Sequence, residues 1–228
     1  LHNTQPGFQL PICRMARITI HTLLYADCLA KLYHASVVRT KSEISQTDIK
    51  NLYSHYITDS FPYIERRDTD GLISLLSRAV CDFSSLTDYS RRVPVIGLVG
   101  EIYVKYNNFS NKNVIPWLIA QGVEVVPPSL VGFFSTAFVN THIYRKQNIK
   151  AVATTSRLVS DALHYYVLRT MRRYDAVCRP YPFYRPFTDI FDNAHLASDI
   201  INLAADFGEG WFLPGEICHL AHSGVNNV

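Results

Sequence analysis

The sequence predicts an α/β chain: a mainly helical layer over residues 1–90, followed by an α/β segment over residues 91–228 built on parallel strands. Two observations carry this. Apolar residues recur at helical spacing through the first 90 positions, and near residue 91 the pattern changes to short aliphatic runs separated by a helix-length crossover. A third observation limits the class. With 48% hydrophobic and 18% charged residues over 228 positions and a formal charge of +3, the chain is neither disordered nor low in complexity, and it has enough apolar mass for a substantial core.

The elements follow in order. Ile12, Met15, Ile18, Ile20, Leu23, Leu24, Leu29 and Leu32 recur as the apolar side chains of a helix over residues 12–36, with Pro11 suited to a first turn. Ser45 with Asp48 three residues on has the form of a capping box, opening a helix whose stripe is Ile49, Leu52, Tyr53, Tyr56 and Ile57. A third helix, residues 68–83, presents Leu72, Leu75, Leu76, Ala79 and Val80. Val93 to Val99 then reads as a strand buried on both faces, and Val123 to Val126 as a second, stopped by Pro127 and Pro128. Between them stand a polar loop, residues 106–110, and a helix from Asn111 to Gln121 closed by Gly122. That crossover length favours a parallel pair whose functional edge is at the strand C-terminal ends. Helices are expected over residues 129–144 and 151–174, the latter with a stripe of Val159, Ala162, Leu163, Tyr166, Val167 and Met171. The prolines at 180, 182 and 186 end it. Two more helices, residues 193–207 and 214–223, precede an incoming strand at Val225 to Val228.

Charge and cysteine usage bound the partners. Nine Lys and Arg side chains between Arg145 and Arg185 stand against only Asp161 and Asp175, whereas residues 186–228 carry six acidic side chains and no Lys or Arg. A belt of this kind suits a solvated helix face or a phosphorylated ligand; a nucleic-acid surface would leave the whole domain basic, so no nucleic-acid partner is expected. Five scattered cysteines without a CxxC pair read as reduced thiols of a cytoplasmic protein. No run of apolar residues is long enough to span a membrane. The missing initiator Met and the strand left open at Val228 predict a segment of a longer protein. A low charge fraction in such a segment predicts an exposed apolar patch and a homodimer through it.

Two groups of residues are candidates for chemistry. In the first, Gly97 and Gly100 end the strand, Glu101 follows, and Asn107 and Asn111 flank the next helix start. Glycines there permit close backbone approach and free amides can hold an anion, but the GxxGE spacing is neither the dinucleotide nor the P-loop pattern, and tight packing explains it as well. Glu101 fits a general base, a ligand contact or a helix cap. In the second group, Cys218 and His222 lie four apart and share a helix face with metal-ligand spacing, beside His219. No further ligand stands at a recognisable spacing, and a buried Cys with two surface His is the plainer reading. No metal is therefore assigned.

The stretch VPVIGLVGEIYVKYNNFSNKNVIPWLIAQGVEVVPPSLVGFF, with LLYADCLAKLYH before it and GEGWFLPGEICHLAHSGVNNV at the end, resembles the C-terminal part of large activase-related proteins of the 2-hydroxyacyl-CoA dehydratase and benzoyl-CoA reductase superfamily. The resemblance implies a Rossmann-like α/β subdomain in a cytoplasmic, mostly anaerobic system. There an ATP-dependent activase passes an electron to an iron-sulfur component that reduces an acyl-CoA-like substrate. It implies a [4Fe-4S] cluster in the parent protein, with ligands beyond Val228 and none in this segment alone. Gly97, Gly100, Glu101, Asn107 and Asn111 match the family motif without an assigned role. The expected function is thus a fragment of such an electron-transfer component, inactive alone, with the activase and the rest of the parent chain as partners. The alternatives are a non-catalytic docking or oligomerisation module, and a CoA- or nucleotide-binding domain.

Overall fold

The computed structural model describes residues 12–149, 151 and 153–228, with side chains from Met15 onward; Pro11 and Lys150 lie outside the described residues. The helical layer is α1 (Ile12–Ser36), α2 (Gln46–Glu65) and α3 (Thr69–Leu86). Each starts or packs for a local reason. Ser45 caps α2 by accepting from the Asp48 amide while the Asp48 carboxylate accepts from the Ser45 amide, the reciprocal box expected from the sequence. Asp68 caps α3 through the Gly71 amide at 2.8 Å.

The rest of the chain runs β1 (Val95–Gly97), α4 (Ile102–Tyr106), α5 (Val114–Ala120), β2 (Glu124–Val126), α6 (Leu130–Lys146), α7 (Thr154–Cys178), α8 (Ile190–Ser198), a 3₁₀ turn at Phe207–Glu209, and α9 (Phe212–His222). The molecule is mainly helical, and its sheet is a two-stranded parallel pair in the register Val95↔Glu124, Ile96↔Val125 and Gly97↔Val126. The parallel pairing is as expected; the strand lengths are not. Val93 to Val99 shortens to three residues because Pro94 has no amide to donate and the chain turns away after Leu98, whose amide still reaches Val126. Val95 and Ile96 are half-buried rather than covered on both faces. Val225 is buried, and the Asn227 carbonyl accepts from the Gly97 amide at 2.8 Å, so this segment lies along β1 without making a regular third strand.

Three helices depart from their expected bounds. α5 begins at Val114 instead of Asn111, because Lys112 and Asn113 hold positive φ of 53° and 56° and Asn107 ties the preceding turn through the Phe109 and Ser110 amides. α8 stops at Ser198 instead of Phe207; the Asn202 side chain accepts from the Ala204 amide, a local turn that competes with helix. In α7 the buried face is Val167, Thr170, Met171, Tyr174 and Cys178, while Val159 and Leu163 of the expected stripe are exposed. That bare half of α7 is continuous with an apolar groove of about 500 Å³ between α1, α6 and α7, lined by Met15, Leu23, Phe134 and Phe138 among others.

The main core lies where α1 meets α3, α2 and the second half of α7. Leu24, Leu29, Leu32, Leu72, Leu75, Leu76 and Phe83 are fully covered, each contributing about 1.5–3 kcal/mol by burial. It draws on residues from both sides of position 90. A smaller core joins α6, α8 and α9 through Val139, Ala194, Ala197, Trp211 and Phe212, with Phe138 packed against both. No helix among the described residues is long and apolar enough to cross a membrane.

Candidate functional site

Because β1 and β2 are parallel, their carboxyl ends open on the same side, and the chain leaves there as Leu98 and as Pro127-Pro128. α6 starts just beyond. Its first turn is capped twice over: Ser129 accepts from the Gly132 amide, and Asp27 of α1 accepts from the Ser129 hydroxyl at 2.8 Å and from the Leu130 and Val131 amides at 3.1 and 3.0 Å. This tertiary cap fixes α1 against the strand ends and brings Lys31, one turn after Asp27, to the opening. The segment from Tyr184 to Thr188 and one face of α9 close the other sides. The result is a crevice of about 510 Å³.

Its walls are mostly apolar, with a few charged groups. Lys31 lies with Nζ 3.5 Å from the Phe187 ring centroid and 5.3 Å from that of Tyr184, a cation–π arrangement, and burial pushes its pKa down. Across the crevice, burial raises Glu216 to about 6 against the opposing pull of Lys105, whose ammonium stands 3.3 Å from Glu216 and 3.5 Å from Glu209. His219 shares a 2.8 Å hydrogen bond with the Thr188 hydroxyl, and burial lowers its pKa, so the ring is neutral at physiological pH. Arg185 lines the rim and its Nε is 3.7 Å from the Glu124 carboxylate. Asp27, beneath, is pushed up by burial against the three donors it accepts from.

Under Lys31 lie two thiols. Cys28 donates to the Tyr184 hydroxyl at 3.4 Å, and that hydroxyl donates to Asp175 at 2.8 Å. The hydrogen bond with Cys28, and then burial, push the Cys178 thiol well above the ordinary range, so that sulfur keeps its proton. Cys81 is exposed on α3 and Cys218 sits on α9; the Cys13 side chain lies outside those described. Among the described residues no three His, Cys, Asp or Glu side chains converge on a metal-holding arrangement. These donors do not fit the iron-sulfur cluster that the resemblance implies for the parent.

The residues singled out from the sequence are distributed differently. Gly97 packs against α9. A Cβ there would come within 2.5 Å of Leu220 Cδ1, so Gly97→Ala should cost about 1–3 kcal/mol in urea denaturation, with most of it regained by adding Leu220→Ala. Gly100 carries φ +148°, where a side chain is strained. Glu101 caps α4 through the Val104 amide, Asn107 ties the following turn, and Asn111 donates to the Val104 and Lys105 carbonyls. Together they hold α4, with Glu101 on a separate cavity of about 260 Å³. His222 bonds back to the Cys218 carbonyl at 2.7 Å, which leaves the Cys218–His222 pair without a shared centre. Of that cluster His219 alone reaches the crevice.

No family model, curated protein or solved structure matches this chain. The site therefore rests on its own geometry.

Sequence reasoning missed the charged groups that define the crevice. Asp27 and Lys31 interrupt the apolar run of α1 four residues apart, and Glu124 stands inside an aliphatic strand. A charge on a face destined for burial needs a partner or a task. That signal is present in the sequence at Asp27, Lys31 and Glu124.

Proposed function

We propose that this chain holds a small, partly apolar molecule in the crevice outside the carboxyl ends of β1 and β2, and that β1, α4, α5 and β2 serve as a Rossmann-like subdomain around it. The observation that carries the reading is the meeting of Lys31, Arg185, His219 and Glu216 at one strand-end opening among aromatic and aliphatic walls. Ligands of open parallel sheets bind at this edge, and a mostly apolar cleft of drug-like volume with a few convergent polar groups is the usual form of such a site. Resemblance to the acyl-CoA dehydratase and reductase superfamily supports an acyl thioester as the ligand. On this reading the chain is the substrate-holding part of a cytoplasmic, activase-dependent system. Its electrons arrive from an iron-sulfur centre held outside the described residues.

The test is calorimetric titration with butyryl-CoA, free butyrate and ATP. Butyryl-CoA is expected to bind, and Leu98→Trp, which fills the crevice mouth, is expected to abolish the heat without lowering the melting temperature. Silence from butyryl-CoA would remove the thioester reading. A response to ATP alone would move the assignment to a nucleotide site.

A further inference from the structure

We infer that Lys31 is a covalent anchor for a carbonyl compound, its amine condensing with an aldehyde or ketone held in the crevice to form an imine. The inference rests on the crevice being a ligand site and goes beyond it by naming a reactive atom and a substrate class.

The contrast between Lys105, which is buried, and Lys31, which is half-buried at the crevice, points to Lys31. Lys105 is neutralised by two carboxylates, at 3.3 and 3.5 Å, and is locked in place. Lys31 makes no ion pair among the described residues; its nearest described partners are the faces of Phe187 and Tyr184. It extends from a helix core into a cavity of about 510 Å³ with mostly apolar walls. An ammonium in that setting has lost much of its hydration, and although Asp27 and Asp175 attract it neither forms an ion pair with it, so burial outweighs them and shifts the balance toward the free amine. Free amines in apolar pockets are the nucleophiles of imine chemistry.

The same walls supply proton handling. Glu216, at about 6, exchanges a proton near neutrality, and neutral His219 offers a second acceptor beside it. In the reaction the amine lone pair attacks the carbonyl carbon, and the carbonyl oxygen receives the proton that nitrogen gives up. The resulting carbinolamine expels water, leaving a carbon–nitrogen double bond. Nothing is oxidised or reduced in this step. Asp27, four residues earlier on α1, is occupied with the start of α6 and holds the lysine's helix in register.

The experiment treats the native protein with butanal and cyanoborohydride near neutral pH, followed by peptide mapping. Reduction delivers hydride to the imine carbon and solvent supplies the proton to nitrogen, leaving a stable butyl-lysine. Lys31 is expected to be labelled several-fold faster than exposed lysines such as Lys41, Lys50 and Lys112, since a lowered amine pKa raises the fraction present as free amine. The preference should vanish in denaturing urea, and Lys31→Arg should lose the label while keeping the positive charge. Labelling of Lys31 no faster than that of the exposed lysines in the native protein, with normal reactivity once unfolded, overturns the inference. The two readings separate cleanly. Selective labelling without heat from butyryl-CoA leaves Lys31 standing and removes the thioester; heat from butyryl-CoA with unselective labelling does the reverse.

Discussion

Replacing Glu124 with alanine is expected to lower the free energy of unfolding by about 3–5 kcal/mol, a large fraction of what a domain of this size possesses. The Glu124 carboxylate accepts from Arg39 Nη2 at 2.6 Å, and both side chains are only 5% exposed. Arg39 is also fixed by donating to the Ala35 carbonyl at 2.9 Å and by lying 4.1 Å from the Phe183 ring centroid. Truncating the acid leaves a guanidinium buried with nowhere to go, and Arg185, at 3.7 Å from the same carboxylate, loses its partner too. The pair joins the helical layer to β2, so the loss falls on the contact that places α1 against the sheet. Replacing both partners, Arg39→Met with Glu124→Leu, should regain most of the stability, because the desolvation of two charges is removed along with their attraction. Urea denaturation of the three variants decides it. A Glu124→Ala protein within about 0.5 kcal/mol of the parent would mean that water reaches the pair.

Acidification is expected to have a comparable effect. His21 and His34 are both held down to about 4, His34 by burial, and His21 by burial first and then by Arg17 and Arg173. His21 sits between two hydroxyls, 3.1 Å from Tyr174 and 3.1 Å from Tyr166, and His34 has its Nδ1 buried without a hydrogen-bond partner among the described residues. Each binds its proton more weakly in the folded chain than in the unfolded one. The stability they confer is therefore whole above about pH 6.5 and drains as the pH falls toward 4, by about 3 kcal/mol per histidine at the bottom. Glu216 acts in the opposite sense between about 6 and its unfolded value of 4.5, offsetting part of the loss. The melting temperature should fall steeply between about pH 6.5 and 4, and His34→Leu should make the fall shallower. A flat profile would show that both rings stay reachable by water.

How far the sequence could be read depended on the distance over which each interaction acts. α1, α2 and α3 were legible because their causes are local: a stripe at helical spacing, and the Ser45–Asp48 pair three residues apart. The parallel pair was legible from the crossover between two aliphatic runs. The α7 stripe was right only from Val167 onward, because periodicity marks a face and not the neighbour that covers it. The crevice was least legible. Asp27 serves an amide 104 positions away, and Arg39 a carboxylate 85 positions away. The apolar run around Asp27 marks a charge that needs a partner, but nothing in its neighbouring residues names a partner so far along the chain. Asn107 and Asn111 after β1 stand out as part of a motif, yet their hydrogen bonds are short-range and hold α4 in place.

The contacts that α1 makes with the far end of the chain bear on how the protein is made. His21 meets Tyr174 and Ser36 meets the Tyr181 hydroxyl, partners 153 and 145 residues downstream. As the chain emerges from the ribosome, α1 can settle against α2 and α3 early. The side it will later give to α7 stays bare until residues 154–178, more than 100 positions downstream, have been synthesised. Contacts this distant delay completion of the core and leave apolar surface open to other nascent chains. Holding that surface apart during translation is the natural task of a chaperone, and α1 is the segment on which it would act.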